Sequence, residues 1–482
     1  MRTFNRFLSI PIGFIFLFSA SQVFAKGPVK AESIDQLMKI YHEYGLFNGS
    51  VLVVENGTLL FKSGYGYANM EWEIPNAPDT KFRLGSITKQ FTSMLIMQLV
   101  SEGKIKLEDP LSNYLDYYRK DTGTKITIHQ LLNHTSGIPS YTGFTGFFKN
   151  ESRDPYKPDE FIKKYCSNDL EFEPGSTFRY NNSGYFILGG ILEKVTGKSY
   201  AKLLEERIFQ PLKMSSSGYD LHGPIIKKRA AGYEKRNNGY VNASYLDMSI
   251  PYAAGSLYAS AEDLFTWDRA LYTNQLLSKE LMQKMFTPNL ENYGYGWGIR
   301  SYEINEVEKV MVSHGGGING FNTLINRMIN DQHMIVLLNN TGGTKLNEIS
   351  KQIQNILYGL KVEMPKKPVF NALLKEYSEK GLQSGQDLIK KFDKEGGYDL
   401  AENTLNRLGY ELMGMEKFEE AISIFKYNVK LYPDSANTYD SLAEGYMNHG
   451  NNEKAVQYYK KTLELSPENP NAVQQLKKLG VE

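Results

Sequence analysis

Gly85-Ser86-Ile87-Thr88-Lys89-Gln90-Phe91-Thr92-Ser93-Met94-Leu95 is the stretch on which the reading of this chain turns. Apolar Ile87, Phe91, Leu95 and Leu99 recur four apart across Ile87–Val100, the period of a helix with a buried face. Ser86 falls where that helix begins, at the positive end of its macrodipole, an environment that favours an alkoxide. Lys89 follows one turn later on the same face, within reach of the hydroxyl whose proton it could take or relay. The pattern S-x-x-K is weak by itself: it also occurs at Ser101–Lys104, Ser199–Lys202 and Ser423–Lys426. Those three read as mid-helix, on an exposed turn, or within the C-terminal tail.

Working outward, β-like runs lie near both ends of a long block, Gly49–Val54 and His333–Leu338, with helical stretches between them. Such an order predicts one sheet assembled from distant parts of the chain, with a helical region inserted. A serine and a lysine need a proton shuttle and an oxyanion site. Tyr-x-Asn occurs at Tyr67, Tyr180, Tyr240, Tyr272 and Tyr446. Tyr180-Asn181-Asn182 is set apart by the turn Pro174-Gly175 before it and the helical run Gly184–Val195 after it. A phenol acts as general base only beside cations that stabilise phenolate, which Lys89 and a third basic group would supply. His314-Gly315-Gly316-Gly317 carries glycines that let a strand backbone approach a substrate and donate N–H groups. G-x-S-x-G and H-E-x-x-H are absent, and the scattered histidines, His129 and His134 among them, lack a zinc-site spacing. No metal and no cofactor is assigned.

Ser86-Ile87-Thr88-Lys89, Tyr180-Asn181-Asn182 and His314-Gly315-Gly316, in that order, resemble the penicillin-recognising serine hydrolases. The similarity is to the branch of class C β-lactamases, D,D-carboxypeptidases and esterases. Leu131–Gly137 and Ala254–Asp263 also look like stretches of that branch, and the likeness covers roughly Ile34 to Leu360. It implies an α/β (α+β) fold with an antiparallel sheet flanked by helices and a helical subdomain. It also implies that Ser86 is acylated, that Lys89 assists its deprotonation and that Tyr180 is the shuttle. Asn182, His314, Gly315 and Gly316 would bind substrate, and the oxyanion hole would come from the N–H groups of Ser86 and Gly317. Leu131–Gly137 reads as a structural loop near the cleft. The chain departs from the branch at the third motif, where lactamases usually carry Lys-Thr-Gly. His314 cannot hold a substrate carboxylate as a permanent cation would, and that favours esters, amides or D-amino-acid peptides over β-lactams. A protonated His314 that supports catalysis would make activity fall as pH rises through its pKa.

The tail repeats itself. Leu408, Gly409, Ala421, Phe425 and Pro433 recur as Leu442, Ala443, Ala455, Tyr459 and Pro467, an offset of 34 residues. This is the period of a tetratricopeptide array, which usually offers a groove to a peptide or protein partner. Phe370–Leu400 is a degenerate third repeat or a capping helix pair, preceded by the linker Pro365–Pro368. At the other end, Arg2 and Arg6, the apolar run Phe7–Phe18 and Val23-Phe24-Ala25 form a secretory signal. Its apolar run of about 12 residues is short of the roughly 20 a spanning helix needs.

The expected organisation is a signal over 1–25, a hydrolase domain over 26–362, a linker and degenerate helical region over 363–400, and repeats over 401–482. No membrane span is expected in the mature chain. With 55 basic and 54 acidic residues the chain lacks the basic excess of a nucleic-acid binder. Cys166 is the single cysteine, so no intrachain disulfide forms. The expected function is an exported serine hydrolase, periplasmic or secreted, acting on a small ester, amide or peptide. Two alternatives stand beside it. One is a catalytically weak sensor of peptidoglycan peptides whose tail recruits a partner; the other is a scaffold whose working part is the tail.

Overall fold

The structure is a computed structural model that describes residues 27–236 and 239–481. The secretory signal expected over 1–25 lies outside the described residues. The catalytic block opens with helix α1 (Gly27–Glu43) and strands β1 (Gly49–Glu55) and β2 (Thr58–Tyr65). Helix α2 (Thr88–Ser101) and helix α3 (Asn182–Thr196) belong to the inserted helical region. Strands β3 (Gly298–Ile304), β4 (Val307–Ile318), β5 (Phe321–Met328) and β6 (His333–Asn339) follow, then helix α4 (Leu346–Leu357).

These six strands form one antiparallel sheet in the order β3-β4-β5-β6-β1-β2. Val51 pairs with Leu337 and Val53 with Ile335, so the first and last apolar runs of the block meet in the middle of the sheet. The two-residue alternation of a strand then sorts side chains between two cores. Val51, Val53, Ile335 and Leu337 pack with Ile34, Leu37, Ile349 and Ile353 of α1 and α4. Leu52, Val54, Val336 and Leu338 face the inserted helices and Phe91, Leu95 and Trp267. Both faces are covered, which is why these strands are continuously apolar rather than alternating.

Helix α2 differs from the amphipathic helix expected of it. Thr88 through Met97 are all buried, polar Thr88, Lys89, Gln90, Thr92 and Ser93 included. Several of its polar groups find partners inside the protein: Thr92 Oγ1 donates to the Ala253 carbonyl at 2.7 Å, and Trp267 Nε1 donates to Gln90 Oε1 at 3.1 Å. A helix buried all round is a rigid support for whatever stands at its first turn.

The tail is a row of helical hairpins with its own core. Helices α5 (Phe370–Lys380) and α6 (Leu382–Glu395) form a first pair. Helices α7 (Glu402–Gly414), α8 (Phe418–Leu431), α9 (Ala436–Asn448), α10 (Asn452–Leu465) and α11 (Pro470–Lys478) complete the row. Residues equivalent across the 34-residue repeat, Leu408 and Leu442, Ala421 and Ala455, Phe425 and Tyr459, are all buried in one cluster. The pair before them occupies the segment read as a degenerate repeat or a capping helix pair. The proline-rich linker does more than span a gap. Lys367–Pro368 pairs in parallel with Tyr398–Asp399, and the Lys367 N–H donates to the Gly397 carbonyl at 2.8 Å, closing a loop around the first hairpin.

Candidate active site

Ser86 stands in a single 3-10 turn, Gly85–Ile87, that runs straight into α2. Gly85 has φ +55°, and a Cβ there would lie 2.9 Å from the Gly317 nitrogen and oxygen. The turn before the serine and the glycine strand β4 are therefore in backbone contact, which only glycine at 85 permits. Strand β3 pairs with β4 only as far as Gly298 opposite Ser313, so His314–Ile318 has no sheet neighbour on that side. An open strand edge thus borders Ser86.

Lys89 is fully buried. Its Nζ lies 3.0 Å from Ser86 Oγ, 2.8 Å from Asn182 Oδ1 and 2.9 Å from the Ala254 carbonyl oxygen. It also sits 4.9 Å from the centroid of the Tyr180 ring. None of these partners is a carboxylate. Burial without a counter-charge pushes the lysine well below its ordinary pKa. Burial thus biases the amine beside the serine hydroxyl toward its neutral, proton-accepting form.

Asn182 is oriented from behind: its Nδ2 donates to Thr142 Oγ1 at 3.0 Å and its backbone N–H to Ser140 Oγ at 3.1 Å, leaving Oδ1 to Lys89. Asn181 caps α3, its side chain accepting the Gly184 N–H at 2.9 Å. Its own N–H donates to His134 Nδ1 at 3.1 Å. The His134 ring packs 4.3 Å from Tyr180, 5.1 Å from Tyr185 and 4.7 Å from Tyr293. Burial, with the Lys89 charge adding to it, keeps that imidazole neutral.

Tyr180 keeps 38% of its surface exposed beside the cleft. Desolvation nevertheless raises its phenol above the ordinary tyrosine range, and the nearby Ser86 hydroxyl only partly offsets this. The sequence reading asks for cations that stabilise a phenolate, and desolvation acts the other way, favouring the protonated phenol at Tyr180.

The His314 imidazole is buried and doubly engaged. Its Nδ1 is 2.6 Å from the Gly315 carbonyl oxygen, so Nδ1 carries the proton, and Nε2 accepts from the Tyr293 hydroxyl at 2.8 Å. Desolvation, reinforced by Lys89, lowers its pKa to about 4. A catalytic limb from protonated His314 near neutral pH is therefore not expected, and both ring nitrogens are held by the protein. Gly316 also has a packing reason: a Cβ there would lie 1.9 Å from the Leu84 carbonyl oxygen.

One cavity includes Ser86, and a second lies beyond Tyr180. The smaller, about 120 Å³, is lined by Ser86, Asn182 and Gly317 with apolar Tyr141, Leu246, Ile250 and Ile318. The larger, about 770 Å³, lies on the side of Tyr180, Tyr293 and His314 and includes Arg300 and Asn347.

The model of the Beta-lactamase family matches residues 31–356, two thirds of the chain. The chain belongs to the β-lactamase family. The tetratricopeptide repeat model matches residues 436–469. The putative penicillin-binding protein PbpX of Bacillus subtilis is 31% identical over 339 residues, 69% of this chain and 81% of that protein. The teichoic acid D-alanine hydrolase of Staphylococcus aureus is 30% identical over 343 residues, 69% of this chain and 79% of that protein. The crystal structure of a D-stereospecific amidohydrolase from Streptomyces sp. is 28% identical with a TM-score of 0.56, covering 67% of this chain and 97% of that one.

In this β-lactamase-family chain the three separated motifs converge as the sequence order suggested. Lys89 touches both Ser86 and Asn182, and Tyr180, His314 and Gly315 line one cavity. Leu131–Gly137 is a buttress, as read, acting through His134. Four supports went unread. Thr142 and Ser140 orient Asn182, Tyr293 fixes the His314 tautomer, and the Ala254 carbonyl completes the lysine's cage. Ala254 stood in a stretch already singled out, but a backbone acceptor has no side-chain signature.

Proposed function

We propose that this chain is an exported serine hydrolase that forms an acyl-enzyme on Ser86, with residues 26–362 as its catalytic unit. The observation that carries the reading is the buried, charge-depleted Lys89 3.0 Å from Ser86 Oγ at a helix N-terminus. Neutral Lys89 takes the hydroxyl proton as Oγ adds to a substrate carbonyl. The N–H groups of Ser86 and Gly317 receive the oxyanion. Tyr180, a protonated phenol, donates to the departing alkoxide or amine and is recharged through Lys89. Water then attacks the acyl-enzyme ester, neutral Lys89 takes its proton and returns it to Ser86 Oγ, and the acid product leaves with Ser86 restored.

The small cavity beside the oxyanion site suits a compact, largely apolar acyl group, and the large one suits a bulkier leaving group. With His314 neutral, the position that holds a lactam carboxylate by lysine carries no cation. That supports ester or amide substrates over efficient β-lactam turnover. The D-alanine hydrolase and D-stereospecific amidohydrolase relatives support a D-aminoacyl group in particular. Export rests on Arg2, Arg6 and the apolar run Phe7–Phe18. The test is labelling of the purified chain with a fluorescent phosphonate, together with turnover of D-alanyl and L-alanyl chromogenic esters. Label and turnover lost together in Ser86→Ala are expected; unlabelled folded protein, or turnover that survives Ser86→Ala, overturns the acyl-enzyme.

A further inference from the structure

The two sides of the helical tail differ in charge. One cavity lies on the first helices of the repeats, lined by Glu402, Asn403, Asn406, Arg407 and Tyr410 of α7 and Asn437 of α9. Its single acid and single base balance, and Arg407 is already stacked 3.9 Å over the Phe370 ring. A cleft of about 590 Å³ lies instead on the second helices, α6 and α8, and reaches the first turn of α10. Its rim carries Lys390, Lys426, Lys430 and Lys454 with His449, against Glu419 as the one lining carboxylate.

Those lysines gather without counter-ions. Lys426 and Lys454 approach the same Tyr446 ring, at 5.5 Å and 5.0 Å from its centroid, and Lys430 stands 5.0 Å over Tyr427. Among the described residues none of the three forms an ion pair, and Lys390 has only a 3.9 Å approach to Asp387. Other lysines of the tail find a carboxylate, as Lys380 does in Glu376 at 3.1 Å and Lys461 in Glu464 at 2.7 Å, while several, among the described residues, form no ion pair. The floor of the cleft is of another kind, made of Tyr377, Ile389 and Ile422. The Tyr377 hydroxyl is fully buried there with no hydrogen-bond partner. Like charges converging on one aromatic ring repel, and an unpartnered buried hydroxyl costs free energy. A ligand supplying carboxylates to the rim would relieve the repulsion.

We infer that the second-helix face of the tail is a docking cleft for an extended acidic peptide in which carboxylates alternate with apolar side chains. An anionic polymer without apolar groups would use the lysines and leave the partly exposed Leu382 and Tyr427 of the same cleft uncovered, so the peptide is the better match. The inference is independent of the chemistry at Ser86.

The test uses the full chain and a fluorescein-labelled octapeptide of alternating glutamate and leucine, followed by anisotropy. Saturable binding is expected, weakening steeply with added salt as hydrated ion contacts are screened. Lys426→Gln combined with Lys454→Gln should weaken it by about tenfold or more. The same variant should keep the wild-type melting temperature and ester turnover, which shows that the loss is local. The octapeptide with lysine for glutamate should not bind, and an all-glutamate octapeptide should bind more weakly. Absence of binding, or binding indifferent to the double substitution, overturns the inference. So does long-chain polyphosphate binding this face while the glutamate–leucine peptide does not, an outcome that would assign the cleft to an anionic polymer.

Discussion

Ser199 opens a helix just as Ser86 does. Its Oγ accepts the Lys202 N–H at 3.3 Å, and Lys202 follows it at the spacing by which Lys89 follows Ser86. There the likeness stops. Lys202 is about half exposed and paired with Glu205 at 2.9 Å, which raises its pKa, whereas Lys89 is enclosed among neutral oxygens and its pKa falls well below the usual lysine range. Only a serine and a lysine at one spacing are shared, and the two lysines are driven in opposite directions. Surroundings contributed by residues 140–142, 182 and 254, far away in the chain, create the difference. The reactive pair is thus a property of the packed core around α2, and the surface pair is a helix cap with a solvated cation.

The largest effect should come from forcing Lys89 to behave like Lys202. Lys89→Arg keeps a cation but cannot be discharged. Loss of the base is expected to lower kcat/KM for a chromogenic ester by about 10³-fold or more, within the range of general-base contributions. If neutral Lys89 is the base in the wild type, its protonation is the inactivating event. Because its pKa lies below that of a free lysine, activity should persist as pH falls through the alkaline range and should decline only once that depressed pKa is crossed. A stopped-flow pH profile checks both statements, and retention of activity in Lys89→Arg would remove the base assignment. Next in size is Tyr180→Phe. If the phenol donates to the leaving group, substrates with poor leaving groups should lose about 10²-fold in kcat while activated nitrophenyl esters lose far less. An equal loss on both would point to positioning rather than proton donation.

The contrast also explains what the sequence made legible. The sheet could be read from Gly49–Val54 and His333–Leu338 because strands covered on both faces are apolar throughout, and the 34-residue repeat could be read from Leu408 and Leu442. The order of Ser86, Tyr180 and His314 named the corner where they meet. What could not be read was electrostatic. Nothing local to Lys89 says that it is buried without a carboxylate, nothing local to Tyr180 says that desolvation raises its phenol, and Tyr293 lies 21 residues from the His314 ring it holds. The helix-start criterion that favoured Ser86 applies equally to Ser199, so position on a helix was necessary for the site without being sufficient. Likewise α2 looked one-sided because its polar residues are helix-spaced, and only their partners Ala253 and Trp267 show them to be core.

A third, smaller effect concerns stability. His314 ionises near pH 6.5 when unfolded and near 4 when folded. Between those values the unfolded chain binds the extra proton, so stability is complete above about pH 6.5 and is lost as pH falls toward about 4. The full interval corresponds to roughly 3 kcal/mol as an upper figure. His314→Gln, which cannot ionise, should flatten that part of the stability–pH curve in urea titrations, at the expense of some stability at pH 7. A slope unchanged by the substitution would mean that His314 is not the group responsible.

The smallest effect closes the comparison from the other side. Ser199→Ala removes a helix cap and should cost about 1 kcal/mol, a shift of about 2 °C in a block of this size. Ester turnover at 25 °C should be unchanged, because Lys202 reaches no cavity near Ser86 and its carboxylate partner stays in place. The measurement is a paired one, thermal unfolding and kcat/KM on the same preparation. A tenfold loss of turnover with the melting point intact would mean that the Ser199 cap, 113 residues from Ser86 in sequence, is mechanically coupled to the catalytic helix through the contacts of Tyr200 with Thr92. In that case the two serine–lysine pairs would be parts of one device, and the division into a chemical pair and a structural pair would fail.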